Sequence, residues 1–391
     1  MGLIKKKALL AIILLILAFF LALRFSPYSA LSEFKTRPIS TRILDADGKI
    51  IQITALENGI RREFIPLSEI PPFVQEIFIE AEDRHFYSHH GLDFAAILRA
   101  IFQNASEGRT VSGASTITMQ TAKLKYHLYT KSLFGKMKQI FLALYLEFCY
   151  SKNEILEFYV NLAPCGSNIE GFETASWYYF GKSIKSLNFS ENVMLAVLPQ
   201  NPTKRAPTPS RTPSELIEAR KVLFFRWVEN HPEDKDKEPF MDMQMATMCR
   251  FPDEARHFCE MLYYGKDGSA PIKEQKHQKI IKTTLDLATQ RQCEEIFGNY
   301  INQNRHFGVE NGAILLLDWK NMEIVANIGS ASYYDDSIQG QVNATTSKRS
   351  PGSALKPFIY AMALEQGLIH YDTMLKDTPI TFNLSGTNGV A

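Results

Sequence analysis

Sixteen uncharged, nearly all aliphatic residues, Ala8 to Leu23, follow Lys5-Lys6-Lys7 and end at Arg24. No other feature restricts so strongly how the rest of the chain can fold. A membrane-spanning helix needs about 17–25 apolar residues, so this run reaches across when the flanking lysines snorkel to the interface. Three lysines ahead of it hold the N-terminus in the cytoplasm and send the downstream chain across the membrane. The competing reading is a cleaved signal peptide. Its apolar core would usually be about 7–15 residues, and Tyr28-Ser29-Ala30 is a poor cleavage site, so an uncleaved anchor over 8–24 is expected behind a cytoplasmic tail, 1–7. Lys6 stands where a myristoylation signal needs Ser or Thr.

The 391 residues suffice for two or three domains. Lys and Arg number 43 against 42 Asp and Glu, which argues against a global polyanion-binding field, and no nucleic-acid partner is expected. Any basic patch must be local. The five cysteines, at 149, 165, 249, 259 and 293, include no Cys-x-x-Cys pair and so neither a zinc ribbon nor a thioredoxin-like motif. Cys249 and Cys259 either pair in an oxidising compartment or remain thiols.

Periodicity divides the remainder. A polar connector, 25–58, holds an expected hairpin at 41–51 turning at Asp47-Gly48. From 59 to 225 the pattern is helical. Pro71-Pro72 opens a helix keeping Phe73, Ile77 and Glu80-Ala81 in register. Asp93 can cap a second with Phe94, Ile97, Leu98, Ile101 and Phe102 on one face. Met137, Ile140, Phe141, Leu144 and Phe148 make another stripe, and Ile155, Leu156 and Tyr159 a third; all are expected to pack in a core. Residues 226–275 are expected to be a linker. From 276 to 391 strands and helices alternate: a helix capped by Asp286 running to Asn302, a buried hairpin from 312–318 and 323–329, and a helix from Ala354.

Three segments carry chemistry. In Glu80-Ala-Glu-Asp-Arg-His-Phe-Tyr-Ser-His-His-Gly91, Glu82 leaves a packed helix at its C-terminal end, where the dipole disfavours a carboxylate and burial favours its neutral form. It is a candidate general base or acid; the alternative is a solvated helix end. His85, His89 and His90 form a metal site only if the helix continues past Gly91, so packing and hydrogen bonding suit His89 better. In Ser112 to Lys123, Gly113 and Ala114 allow close backbone approach while Ser115, Thr116, Thr118 and Gln120 offer hydrogen bonds; a plain N-cap is the alternative. Lysines 123, 125, 131, 136 and 138, interleaved with Tyr126, Tyr129, Leu133 and Phe134, suit an anionic lipid surface or a pyrophosphate, or else a solvated face. In Arg349-Ser-Pro-Gly-Ser353-Ala-Leu-Lys356-Pro-Phe, a helix would put Ser353 and Lys356 on one face, and burial of Lys356 would activate the serine for acylation.

Taken together, these segments resemble the bifunctional class A penicillin-binding proteins. Five motifs stand in that family's order: Glu82-Asp83-Arg84-x-Phe86-x-x-His89-x-Gly91, Gly113 to Gln120, Lys136 in a reduced Arg-Lys-x-x-Glu, Lys152 to Asn161, and Gly166 to Lys182. Their wording is most similar to the 1C branch. The resemblance implies a mainly α, lysozyme-like glycosyltransferase domain at 59–225, followed by the start of an α/β transpeptidase domain at 276–391. It implies polymerisation of lipid II into glycan strands by inverting transfer, with release of undecaprenyl pyrophosphate. Glu82 would be the base, Lys123 and Lys136 would meet the leaving pyrophosphate, and Asp83, Phe86, His89, Ser115, Thr116, Gln120, Gln139 and Asn161 would line the substrate cleft. A divalent cation, Mg2+ or Mn2+, would accompany the pyrophosphate, with no organic cofactor. Lipid II, nascent glycan, the bacterial inner membrane, β-lactams, moenomycin and other wall-synthesis proteins are the implied partners, with the catalytic domains in the periplasm.

One departure matters. Many members carry a second glutamate where this chain has Gln139, which favours a single-base mechanism. The Ser353-x-x-Lys356 motif implies a penicillin-acylated serine, yet neither Ser-x-Asn nor Lys-Thr-Gly follows it, so an incomplete transpeptidase is expected. Two other readings stay open: a lytic, lysozyme-like glycan-cleaving enzyme, and a degenerate, non-catalytic lipid II-binding scaffold.

Overall fold

A computed structural model describes residues 34, 36–107, 115–265, 271, 280–376, 381–384 and 387–390. The expected anchor, 8–24, and the Gly113-Ala114 part of the second motif lie outside the described residues. Among those described, no helix is long and apolar enough to cross a membrane. The chain divides into two compact units, 1–345 and 346–391.

Strands β1 (Arg42–Leu44) and β2 (Ile50–Ile53) form the expected hairpin. Asp45 Oδ1 accepts the backbone N–H groups of Asp47 and Lys49 at 2.9 and 2.7 Å, and Gly48 takes the left-handed turn. β1 also pairs in parallel with the later Ile280–Lys282, so the connector belongs to a three-stranded sheet. Beneath it pack Ile43, Ile51, Phe258, Cys259, Met261, Leu285 and Leu287. Within 226–275, read from sequence as a linker, a helix at Arg256–Tyr264 therefore contributes to a core. Cys249 and Cys259 are free thiols, which removes the disulfide alternative; Cys259 is buried in that core.

Helix α1 (Pro72–Glu82) starts on proline and buries Val74, Ile77, Phe78 and Ala81. Ile77 and Ala81 lie inside as expected, but Phe73 is exposed and Val74 and Phe78 fill the inner face beside them. A short strand, Arg61–Arg62, leads into it and pairs with Ile169–Glu170. Helices α2 (Phe94–Glu107), α3 (Ile117–Lys125), α4 (Leu133–Cys149) and α5 (Lys152–Leu162) come next. α5 is buried nearly all round, from Ile155 to Leu162, and is the central helix; the Ser151–Glu154 capping box fixes its start. Around it close α6 (Phe172–Phe180), α7 (Phe189–Val197) and α8 (Ser214–Asn230). Phe78 of α1 stacks on Phe172 of α6 at 4.0 Å.

Two expected core stripes face outward instead. Phe94, Leu98 and Phe102 of α2 and Leu133, Phe134, Met137, Phe141, Leu144 and Phe148 of α4 are exposed, Phe134 at 79% and Phe102 at 73%. The side of α4 that packs on the domain is the other one, where Gly135, Gln139, Ala143 and Leu146 are buried.

Beyond the sheet, Asp286 caps α9 (Leu287–Asn304) as expected, accepting the Thr289 N–H at 2.5 Å. The hairpin of Ile314–Asp318 and Glu323–Ile328 forms, but only its second strand is buried, at Ala326–Ile328. In the second unit a 3-10 turn, Gly352–Leu355, runs into α10 (Lys356–Glu365), and strands Thr381–Leu384 and Thr387–Val390 pair antiparallel. Ser353 and Lys356 are both exposed, so activation of the serine through burial of the lysine has no basis in this unit.

Candidate active site

Glu82 is the last residue of α1. Its Oε2 accepts a 2.5 Å hydrogen bond from Gln120 Nε2 on α3, while Oε1 is buried with no hydrogen-bond partner among the described residues. The Tyr159 hydroxyl on α5, buried and likewise outside hydrogen-bond geometry, bears electrostatically on the same carboxylate. Burial pushes the Glu82 pKa up; Gln120, Tyr159 and Arg205 pull it back, and neighbouring Asp83 adds to the rise. Burial and that carboxylate hold the Tyr159 phenol well above its ordinary range, so it stays a neutral donor. A buried carboxylate with one unpartnered oxygen is equipped to take a proton.

Asp83 closes the loop after α1. His89 Nε2 lies 3.1 and 2.9 Å from its two oxygens, and the Ile117 N–H at the start of α3 donates to Oδ2 at 3.0 Å. Burial pushes its pKa up, opposed chiefly by His89. Thr116 caps α3, accepting from the Met119 N–H at 3.1 Å and donating to the Gly91 carbonyl at 2.7 Å. Motif one is thus bolted to motif two, which places Gln120 against Glu82. His85 pairs with Asp93, Nδ1 to Oδ2 at 3.0 Å.

A second cluster is cationic. Lys136 Nζ donates to Ser115 Oγ at 3.0 Å, and its pKa is lowered by burial and then by the nearby Lys123 ammonium. An ammonium group held near a second one, with its own proton affinity lowered, is suited to meet an anion.

Other sequence candidates fall behind this surface. Phe86 is fully buried, with the Lys152 ammonium 4.5 Å from its ring centroid. Asn161, 4% exposed, accepts the Ile65 N–H at 2.9 Å and donates to the Ile65 and Glu157 carbonyls at 2.9 and 2.8 Å. Gln139 is buried, its Nε2 donating to the Met119 carbonyl at 2.8 Å while Oε1 has no partner among the described residues. Asp83, Phe86, Thr116, Gln139 and Asn161, all expected at the substrate, are buried among other parts of the domain. Glu82, Ser115, Gln120, Lys123 and Lys136 remain on the accessible side.

Sequence reasoning missed Tyr159, Gln200 and Arg205 as neighbours of Glu82. A tyrosine inside an apolar helix stripe must find polar company for its hydroxyl, which was the available signal. Gln200 and Arg205 lie far along the chain from Glu82, where nothing local distinguishes them.

The donor set also bears on the expected divalent cation. Asp83 is committed to His89 and Ile117, and Glu82 Oε2 to Gln120, leaving one unpartnered carboxylate oxygen. Among the described residues no group of three His, Cys, Asp or Glu could hold a metal ion. The residues present do not make a resident metal centre.

Known proteins share these segments. A transglycosylase family model matches residues 47–227, and a penicillin binding protein transpeptidase domain model matches 312–388. The chain is 36% identical over 343 residues to penicillin-binding protein 1C of Escherichia coli (strain K12), covering 86% of this chain and 42% of that protein. It is 29% identical over 401 residues to penicillin-binding protein 1F of Bacillus subtilis (strain 168), covering 95% and 53%. The crystal structure of penicillin-binding protein 1A from Haemophilus influenzae aligns with a TM-score of 0.41 at 17% identity, covering 90% of this chain and 56% of that one. The chain spans about half the length of the curated relatives it matches.

Proposed function

The chain belongs to the class A penicillin-binding proteins, with their mainly helical transglycosylase domain followed by part of their transpeptidase domain, and from that premise we propose that it polymerises lipid II into glycan strands. The observation that carries this reading is Glu82: a buried carboxylate held through one oxygen by Gln120, with the other oxygen free to accept a proton.

Glu82 takes the proton of the acceptor's 4-hydroxyl as that oxygen attacks the donor's anomeric carbon from the face opposite the pyrophosphate. The new C–O bond forms with inversion, and the bond to undecaprenyl pyrophosphate breaks with its electron pair leaving on the phosphate oxygen. No proton is needed there if positive charge meets it. Lys136, bonded to Ser115, and Lys123, which acts on it electrostatically, supply that charge. A divalent cation brought with the substrate would add to the positive charge that Lys123 and Lys136 offer the pyrophosphate. Asp83, His89 and Thr116 position the base and its helix; they do not touch the sugar.

The outward apolar stripes of α2 and α4 support the same substrate. Phe102, Leu133, Phe134, Met137 and Phe141 are a large exposed apolar set for a soluble surface, and they suit a bilayer face or a polyprenyl chain. The fold is lysozyme-like in this reading, and the domain works on the outer face of the inner membrane, anchored through 8–24. The alternative of glycan cleavage is tested by incubating the full chain separately with lipid II and with finished sacculi. Polymer from lipid II and intact sacculi are expected; soluble muropeptides from sacculi with no polymer would replace this reading with the lytic one.

A further inference from the structure

The turn Pro202–Arg205 brings a cation to the back of the proposed base. Arg205 Nη1 donates to the Val197 carbonyl at 2.7 Å and to Gln200 Oε1 at 2.6 Å. Gln200 Nε2 in turn donates at 2.8 Å to the carbonyl of Ala81, the residue before Glu82. One guanidinium is thereby tied, through one amide, to the last turn of the helix that ends in Glu82. On its other side Arg205 lines a cavity of about 490 Å³ with Gln200, Glu215, Glu218 and Arg226. Burial lowers the Arg205 pKa and the Glu82 carboxylate raises it, so the two charges act on one another.

We propose that Arg205, fixed by Gln200, is a positioning residue for the base: its charge keeps the buried Glu82 carboxylate ionised and its tether sets the end of α1. This rests on the reading of Glu82 as the base. The groups bearing on Glu82 are Asp83 beside it, Gln120 from α3, Tyr159 from α5 and Arg205. Tyr159 is neutral and Asp83, where ionised, opposes ionisation, which leaves Arg205 as the cation in this set. The glutamines and the tyrosine contribute dipoles. A dipole is weaker than a full charge in a desolvated site.

The experiment measures kcat/KM for lipid II polymerisation against pH, using the full chain in detergent, for the parent, Arg205→Met, Arg205→Lys and Glu82→Gln. Loss of the cation makes Glu82 harder to ionise, so the acidic limb of Arg205→Met should move to higher pH by about 0.5–1 unit. On that limb the rate falls about 3–10-fold, and by less on the plateau above it, where only the tether is lost. Arg205→Lys should restore the parent limb. An unmoved limb in Arg205→Met, or a uniform loss at every pH that Lys does not rescue, overturns the proposal. If Glu82→Gln polymerises normally, the base assignment itself fails. If Glu82→Gln is dead and the Arg205→Met limb does not move, only the role of Arg205 fails.

Discussion

Replacing Asn161 by alanine separates a wall from a binding contact. The Asn161 side chain serves both backbone groups of Ile65, accepting its N–H and donating to its carbonyl, each at 2.9 Å. Ile65 is buried and Asn161 is 4% exposed, so water does not replace the lost bonds. Each buried group left without a partner costs about 1–3 kcal/mol, giving about 2–6 kcal/mol for the pair. The third bond, to the Glu157 carbonyl, counts for less because that carbonyl already lies inside α5. For a domain of this size about 1 kcal/mol moves Tm by about 2–4 °C, so Asn161→Ala should melt about 4–24 °C lower. Differential scanning calorimetry, with tryptophan fluorescence in urea as the second probe, reads the change. At a temperature where the variant is still folded, KM for lipid II should match the parent within about 2-fold, since no substrate contact is lost. An unchanged Tm with a large rise in KM would refute the wall assignment and return Asn161 to the substrate.

The same geometry predicts three further outcomes. The Lys136 pKa is depressed by burial and by Lys123, so its charge is lost at lower pH than that of an ordinary lysine; the alkaline limb of polymerisation should therefore lie below about pH 10.4, and Lys123→Met should move it upward when rates are measured across that range. Serine at Phe102, Phe134 and Phe141 together should raise KM for lipid II about 3–10-fold with Tm within a few degrees of the parent, because those rings are exposed and leave no cavity behind. Glu82 has a folded pKa above its unfolded value near 4.3, so its contribution to stability is present below that pH and is lost as pH rises through the folded pKa. Glu82→Gln should accordingly melt a few degrees higher than the parent at pH 7 and show no advantage at pH 3.

Local signals in the sequence were enough for the helices and their ends. Asp93 and Asp286 cap where hydrogen-bonding side chains precede apolar periodicity, and Asp47-Gly48 turns the hairpin. Which face of a helix turns inward is a tertiary matter. α1 buries Val74 and Phe78 rather than Phe73 because α6 and α7 pack on that side, and α4 turns Gly135, Ala143 and Leu146 inward, leaving its large aromatics exposed. Spacing could not show that an apolar stripe has no protein partner. The site was legible where residues lie close in sequence, as with Glu82 and the Gln120 segment. It was not legible where the neighbour arrives from a distant turn, as Arg205 does, or where a motif residue such as Asn161 turns its polar atoms into the domain.

The role of Glu82 as the base stands or falls with Glu82→Gln. Glutamine keeps the shape and an acceptor oxygen for Gln120 but cannot take up a proton under working conditions. The measurement is glycan chain formation from lipid II by the full chain, with circular dichroism and detergent-vesicle partitioning as controls for folding and membrane association. A loss of at least about 100-fold in polymerisation with both controls unchanged is the predicted result, in line with removal of a general base. Polymerisation within a few-fold of the parent would contradict it.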